Sequence, residues 1–448
     1  MKYSFHIVLV LLLISCSKDF EVVRPDTVKE VSFLGELEFI KTYGGSGEDT
    51  PRAIIGTADG GFAVLGFSNS TDGDLQGKNL AVNDYWLLKL DSDGALQWSK
   101  TYGGSKDDRG QSLVQTQDGG FALTGYAMSD DGDGSVNKGF HDNWVVKVDA
   151  QGDVEWEKSY GFSGHDHSYD ILDTGDGGFF FAGFLDITSA RADGNTEKSS
   201  ALTRHGVGEF WGTKIDEKAK VQWRGYYGGT NNDRAHAVVR ANDGGYVMAG
   251  FTESDDFDVK NSRGSYDFWA VKIDDNGNSV WQSSFGGTGI ERAQDIANTH
   301  DGGYVITGST FSTDVDVSKN HGESDIWLIK VDDSGRLVWD KSFGGSQFDA
   351  AQSVSPSRDG GYIIVGNSKS LDSGANVNAG ENDIWLIKTD ANGDMVWQKS
   401  FGGSGLDYGF DAVETSAGAI VLVGETASAD FEGVENKGKS DTVIIKIK

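Results

Sequence analysis

The turn Ser163-Gly164-His165-Asp166-His167 sets two imidazoles on either side of a carboxylate, and His141 and His205 stand in the polar segments before and after it. Imidazole nitrogen and carboxylate oxygen are ligands that zinc accepts in a tetrahedral site. The same residues also occur as solvated or mutually hydrogen-bonded groups on a polar turn, so the motif leaves both readings open. A basic segment follows, with Arg191, Lys198, Arg204 and His205. His165, Asp166, His167, Arg204 and His205 are therefore the candidate ligand-binding residues.

Carboxylates supply a second candidate chemistry. Asp72 and Asp74, Asp130 and Asp133, Asp256 and Asp258, and Asp314 and Asp316 lie in polar loops, and clustered carboxylate oxygens are what Ca²⁺ requires. These loops lack the twelve-residue frame with a terminal Glu that marks an EF-hand. A separate series of acids, Asp49, Asp108, Asp166, Asp233, Glu291, Asp349 and Asp407, follows each Gly-Gly turn or its equivalent. An acid placed seven times answers a need that arises seven times, and acceptance of hydrogen bonds from the turn amides is such a need. No nucleophile, base and orienting group stand out as a set.

The elements that position these groups are repeats. Asp325 to Asp349 reads DIWLIKVDDSGRLVWDKSFGGSQFD. An apolar, β-branched run is followed by Asp-Asp-Ser-Gly turn chemistry, a second strand ending on Phe343, and a Gly-Gly break. The first Gly of that break, or its equivalent, falls at Gly44, Gly103, Gly161, Gly228, Gly286, Gly344 and Gly402. Seven repeats of about 58 residues follow from these positions, with an insertion of about nine residues in the third.

Each repeat carries four apolar segments. The twelve tryptophans occupy two fixed positions, Trp86, Trp144, Trp211, Trp269, Trp327 and Trp385 in the third segment and Trp98, Trp156, Trp223, Trp281, Trp339 and Trp397 in the fourth. Such repetition assigns all twelve to the core, because each buried Trp removes about 150 to 250 Å² from water. The seventh repeat stops after its third segment at Lys448, while Gly35 to Tyr43 matches the missing fourth, with Phe39 at the Trp position. The expected fold is all-β, a seven-bladed β-propeller of four-stranded blades closed by the N-terminal strand, which leaves only short sheet edges. In that fold the Gly-Gly turns and the Asp-x-Asp loops share one face, the expected ligand face. The residues beyond each turn acid, among them Arg109, Arg234, Arg292, Tyr169 and Phe410, are expected near the central channel.

Before the propeller, the apolar run Ile7 to Ile14 is too short to span a bilayer and reads as a signal peptide over residues 1–15. It ends in Leu13-Ile14-Ser15-Cys16, which resembles the lipobox of bacterial lipoproteins and implies acylation of Cys16, the one cysteine of the chain. Residues 16–33 then form the lipidated N-terminus and tether, and 34–448 the propeller. The net charge of −30 argues against nucleic acid as a partner, since binding to phosphate backbones rests on Lys and Arg. Cations, with Ca²⁺ as the possible cofactor, and basic protein patches suit that sign.

The pattern Gly-Gly-Ser-x-x-Asp, Asp-Gly-Gly-Tyr, Asp-x-Trp and Gly-x-Leu-x-Trp-x-Lys, over residues 35 to 448, resembles the repeat of Bacteroidetes β-propeller lipoproteins, a group akin by fold to quinoprotein-like propellers. The resemblance implies an outer-membrane lipoprotein of the cell envelope, exposed at the surface, and a monomer is expected. The expected function is non-catalytic binding or scaffolding, with a glycan, an envelope protein or a cation on the acidic loop face. The alternative is an endoglucanase-like glycoside hydrolase, which needs two carboxylates at a defined separation. A quinone-dependent dehydrogenase of the related type needs a vicinal disulfide, which Cys16 alone cannot form.

Overall fold

The computed structural model describes residues 33–448, apart from 76, 186, 188–207 and 375–377. Cys16 with its leader and tether, and Arg191, Lys198, Arg204 and His205 of the third-repeat insertion, lie outside the described residues. Among the described residues, twenty-eight strands form seven separate four-stranded sheets. Each sheet pairs its strands antiparallel, six of them in sequence order and the last with the first strand of the chain added at its outer edge, and the strand after each Gly-Gly turn or its equivalent is innermost. The inner strands are β2 (Asp49–Gly56), β6 (Asp108–Gln115), β10 (Asp166–Asp173), β14 (Asp233–Arg240), β18 (Glu291–Asn298), β22 (Asp349–Pro356) and β26 (Asp407–Glu414). Neighbouring inner strands contact one another all the way round, β26 meeting β2. The chain is a seven-bladed β-propeller.

Closure follows the expected exchange. Strand β1 (Leu37–Tyr43) pairs antiparallel with β28 (Asp441–Ile447), so the first strand completes the last blade. The backbone of Glu36 exchanges two hydrogen bonds of 2.9 Å with that of Lys448 at the end of this pairing. Middle strands are buried on both faces, as in Tyr362–Ser368 and Asp383–Thr389, and their near-continuous apolar sequences reflect it. Outer strands are half-exposed, as in Leu337–Phe343.

The two tryptophan positions differ in depth, which corrects the assignment of all twelve to the core. Trp86, Trp144, Trp211, Trp269, Trp327 and Trp385 are fully buried. The outer six are half-buried and act as latches between blades. Trp281 crosses the hairpin of the following blade, donating from Nε1 to the Asp333 carbonyl at 3.0 Å. Gly335 in that hairpin has φ of 76°, and a Cβ there would stand 2.7 Å from the indole. The positive φ and the close approach both require glycine. Phe39 of β1 covers Gly94 in the same way, and Trp397 covers Gly35, so the latch passes through the ring closure. Only in the third blade is the hairpin residue not glycine: Ala219 holds φ of 58°.

Candidate functional site

The repeated acids resolve into a frame. Asp349 is buried, and its Oδ2 accepts from the Gly345 amide at 2.8 Å and the Ser370 hydroxyl at 2.7 Å. Asp49 does the same with Gly45 and Ser70. Burial pushes both carboxyls above the usual range, while these hydrogen bonds pull the other way. The loop acids take further turn amides. Asp72 accepts from Ser46 N at 2.7 Å and Asp74 from Gly44 N at 2.9 Å. Asp256 and Asp258, and Asp314 and Asp316, repeat the arrangement on Thr230 and Gly228 and on Thr288 and Gly286. In the second blade Asp133 accepts from Gly103 N at 3.1 Å and Asp131 from Ser105 N at 2.8 Å, while Asp130 pairs with Lys106 at 2.8 Å. The acids considered for Ca²⁺ are thus engaged in holding the Gly-Gly turns, or, for Asp130, a lysine.

Inward of this frame every inner strand carries a bulge. The register with the second strand skips between Pro51 and Ala53, Ser168 and Asp170, Ala293 and Asp295, Gly409 and Asp411, and at the equivalent points of the other three blades. A bulge leaves one residue unpaired and re-aims its side chain. The extra residues are Arg52, Gln111, Tyr169, His236, Gln294, Gln352 and Phe410.

Four of these, Arg52, Gln294, Gln352 and Phe410, line a cavity of about 620 Å³ that Arg292, Tyr408 and Glu425 also border. The Arg52 guanidinium sits 4.7 Å from the Phe410 ring centroid and 5.4 Å from that of Phe67. Its Nε is buried without a hydrogen-bond partner among the described residues. Burial lowers its pKa, but a guanidinium stays charged. Arg292 lies 4.9 Å from the Tyr266 centroid. Burial raises the Glu425 carboxyl, opposed by the nearby Ser440 and Thr50 hydroxyls and the Arg52 charge. A chain of net charge −30 therefore concentrates arginine at its axis.

Past the bulges stand three carboxylates that the sequence reading missed. Asp170, Asp295 and Asp411 each accept from the inner strand of the next blade: Val238 N at 2.9 Å, Val354 N at 2.8 Å and Ile54 N at 2.9 Å. Each also takes the amide of its own successor, Ile171, Ile296 or Ala412. They staple neighbouring blades near the axis. Burial pushes Asp170 up to about 6, Asp411 to about 7 and Asp295 well above the ordinary value. The available signal was the repeat column Ala53, Ser112, Asp170, Ala237, Asp295, Ser353, Asp411, where an acid alternates with small residues just before a column that stays apolar, Ile54 to Ala412.

At the junction of the second and third blades the histidines meet. His141, the residue before β8 (Asp142–Val148), forms a parallel bridge with His165, and His167 is the second residue of β10. His141 Nδ1 is 3.0 Å from His165 Nδ1 and 3.3 Å from His167 Nε2. His167 stacks on Tyr126 with centroids 4.0 Å apart, and His165 on Phe140 at 5.0 Å. His165 is exposed; the other two are half-buried. Burial and then the neighbouring imidazoles lower His141 and His167, the latter well below the ordinary value. Asp166 stays in the frame, accepting from Phe162 N at 2.5 Å. Among the described residues these three histidines are the one group of three or more His, Cys, Asp or Glu whose ligand atoms all lie within 4.8 Å of one another.

No family model matches the chain, and no curated protein matches its sequence. Solved structures do resemble it in fold. The WD40 β-propeller domain of Doa1 aligns over 90% of this chain and 95% of its own at 10% identity, with a TM-score of 0.49. YCF48 bound to D1 peptide aligns over 93% and 97% at 11% identity, with a TM-score of 0.46. A protein of unknown function from Bacteroides caccae covers 75% of this chain and 93% of its own at 14% identity, with a TM-score of 0.38. Similarity at this level assigns the chain no role.

Proposed function

We propose that the chain is a non-catalytic binding propeller of the cell envelope, held to the outer membrane through an acylated Cys16, and that its axial cavity takes an acidic glycan. The observation that carries this reading is Arg52, a half-buried side chain that lines the cavity with Arg292 and whose buried Nε has no hydrogen-bond partner among the described residues. A buried donor without a partner costs free energy that a ligand carboxylate recovers. The amides of Gln294, Gln352 and Asn367 suit sugar hydroxyls, and the rings of Phe410 and Tyr408 suit sugar faces. Net charge alone pointed to cationic ligands; the axial arginines favour an anion. The anchor rests on the segment ending in Cys16.

Calorimetric titration with a uronate oligosaccharide and with its neutral counterpart tests the reading. Binding is expected for the acidic sugar, weakened about tenfold or more in Arg52→Gln, as loss of a desolvated charge pair costs about 2–5 kcal/mol. Equal affinity for both sugars, or an unchanged Arg52→Gln, contradicts it. Reducing ends that accumulate in the same samples would instead establish the glycoside hydrolase.

A further inference from the structure

The backbone at the junction of blades two and three is shared by the other junctions. The bridge between His141 and His165 has counterparts between Ser324 and Phe348 and between Asn382 and Leu406. The hydrogen bonds are shared too: Asp166 N donates to the His141 carbonyl at 2.8 Å, as Asp349 N does to Ser324 and Asp407 N to Asn382. What differs is the side chains. The three positions that hold His141, His165 and His167 hold Ser324, Phe348 and Ala350 between blades five and six, and Asn382, Leu406 and Tyr408 between blades six and seven. A generic frame has been loaded with imidazoles once.

Those imidazoles turn ring nitrogens toward one another. A tetrahedral zinc site with Zn–N distances of about 2.0–2.1 Å has ligand nitrogens about 3.3–3.4 Å apart. Two of the separations, 3.0 Å and 3.3 Å, come within a few tenths of an ångström of that value, and all three ligand nitrogens lie within 4.8 Å of one another. The stacked rings of Tyr126 and Phe140 limit how far His167 and His165 can turn away. The nitrogen of His167 remote from the cluster, Nδ1, is 3.2 Å from the Tyr169 hydroxyl, the kind of outer contact that orients a metal ligand. His141 Nε2 is buried without a partner among the described residues.

We propose that His141, His165 and His167 form a Zn²⁺ site with three imidazole ligands and a fourth position open to solvent beside the exposed His165. Imidazole ligation suits zinc among the available divalent ions, and calcium, which takes oxygen, is not a competitor here. Metal binding requires neutral imidazole. Burial and the mutual proximity of the rings favour that form for His141 and His167, aided weakly by the Arg109 and Arg234 charges; Asp107 opposes it at His141. Asp107 is itself paired with Arg109 at 2.9 Å and leaves the three rings as the ligand set.

The test uses the full chain, stripped with a chelator, loaded with ZnCl₂, returned to metal-free buffer and analysed for zinc by mass spectrometry. About one zinc per chain is expected, with four-coordinate visible absorption when Co²⁺ replaces it. His165→Ala alters an exposed side chain and is expected to keep the unfolding temperature of the metal-free protein while losing both the zinc and the cobalt bands. His300→Ala, which removes a histidine from a distant turn, is expected to keep both. Less than a tenth of an equivalent of zinc in the unaltered chain overturns the proposal. So does equal zinc in the unaltered chain and His165→Ala, or cobalt absorption of the octahedral type.

Discussion

The junction between blades five and six and the junction between blades two and three share one backbone and differ in what they carry. In the first, Asp349 gathers the Gly345 amide and the Ser370 hydroxyl beneath Phe348 and Ala350. In the second, Asp166 gathers the Phe162 amide beneath three histidines. A residue that recurs at every junction maintains the ring. A residue present at one junction is free to do something else. Stability and ligand chemistry are therefore written in different side chains a few residues apart.

The strongest way to break this division is to attack the frame where it closes. Deleting residues 34–43 removes β1 from the last blade, with its pairing to β28 and the Phe39 latch on Gly94. Loss of the cooperative thermal transition is expected, followed by calorimetry and size-exclusion chromatography. A ring that melts unchanged would show that closure is not what holds it. Trp327→Ala empties a fully buried position and should cost about 3–5 kcal/mol in denaturant unfolding. Trp281→Ala, at a half-buried latch, should cost less; equal losses would erase the distinction between the two tryptophan positions.

Acidity probes the frame as a whole. Burial raises the acids that open the third strands of four blades, Asp84, Asp142, Asp383 and Asp441, to about 6, Asp170 to about 6 and Asp411 to about 7. The ordinary aspartate value is 3.8, so between about 4 and 7 these carboxyls bind more protons in the folded chain than in the unfolded one. Their contribution to stability is greatest below the unfolded value and is lost as pH rises through 6 to 7. His141, His167 and His236 act oppositely, since their lowered values favour folding only above about 6.5, but the carboxyls outnumber them. The unfolding temperature of the metal-free protein should therefore be a few degrees higher at pH 5 than at pH 7.5. A flat or falling profile would mean that the frame acids are ionised as built. At the small end, His165→Ala should change stability by less than about 0.5 kcal/mol, as for an ordinary surface substitution.

The ring, its seven blades and its strand exchange were legible because each pattern is written several times. Repetition reports sameness of position and not depth, so Trp281 and Trp327 read alike in sequence although one is a latch and the other core. The column of Tyr169 and Phe410 was expected near the channel, but the bulges have no sequence mark of their own, and only they single out Arg52 at the axial cavity and bring Asp295 beside Val354. His165 and His167 were visible as a pair. The parallel bridge, a contact between consecutive blades, brought His141 to them and left Asp166 in the frame.

Zinc-edge anomalous diffraction from crystals soaked in ZnCl₂ tests the division between frame and site most directly, because all seven junctions are seen in one map. The account predicts one strong peak about 2.0–2.1 Å from nitrogens of His141, His165 and His167. No peak there, or peaks of equal height at the acidic turns of the regular junctions, would contradict it.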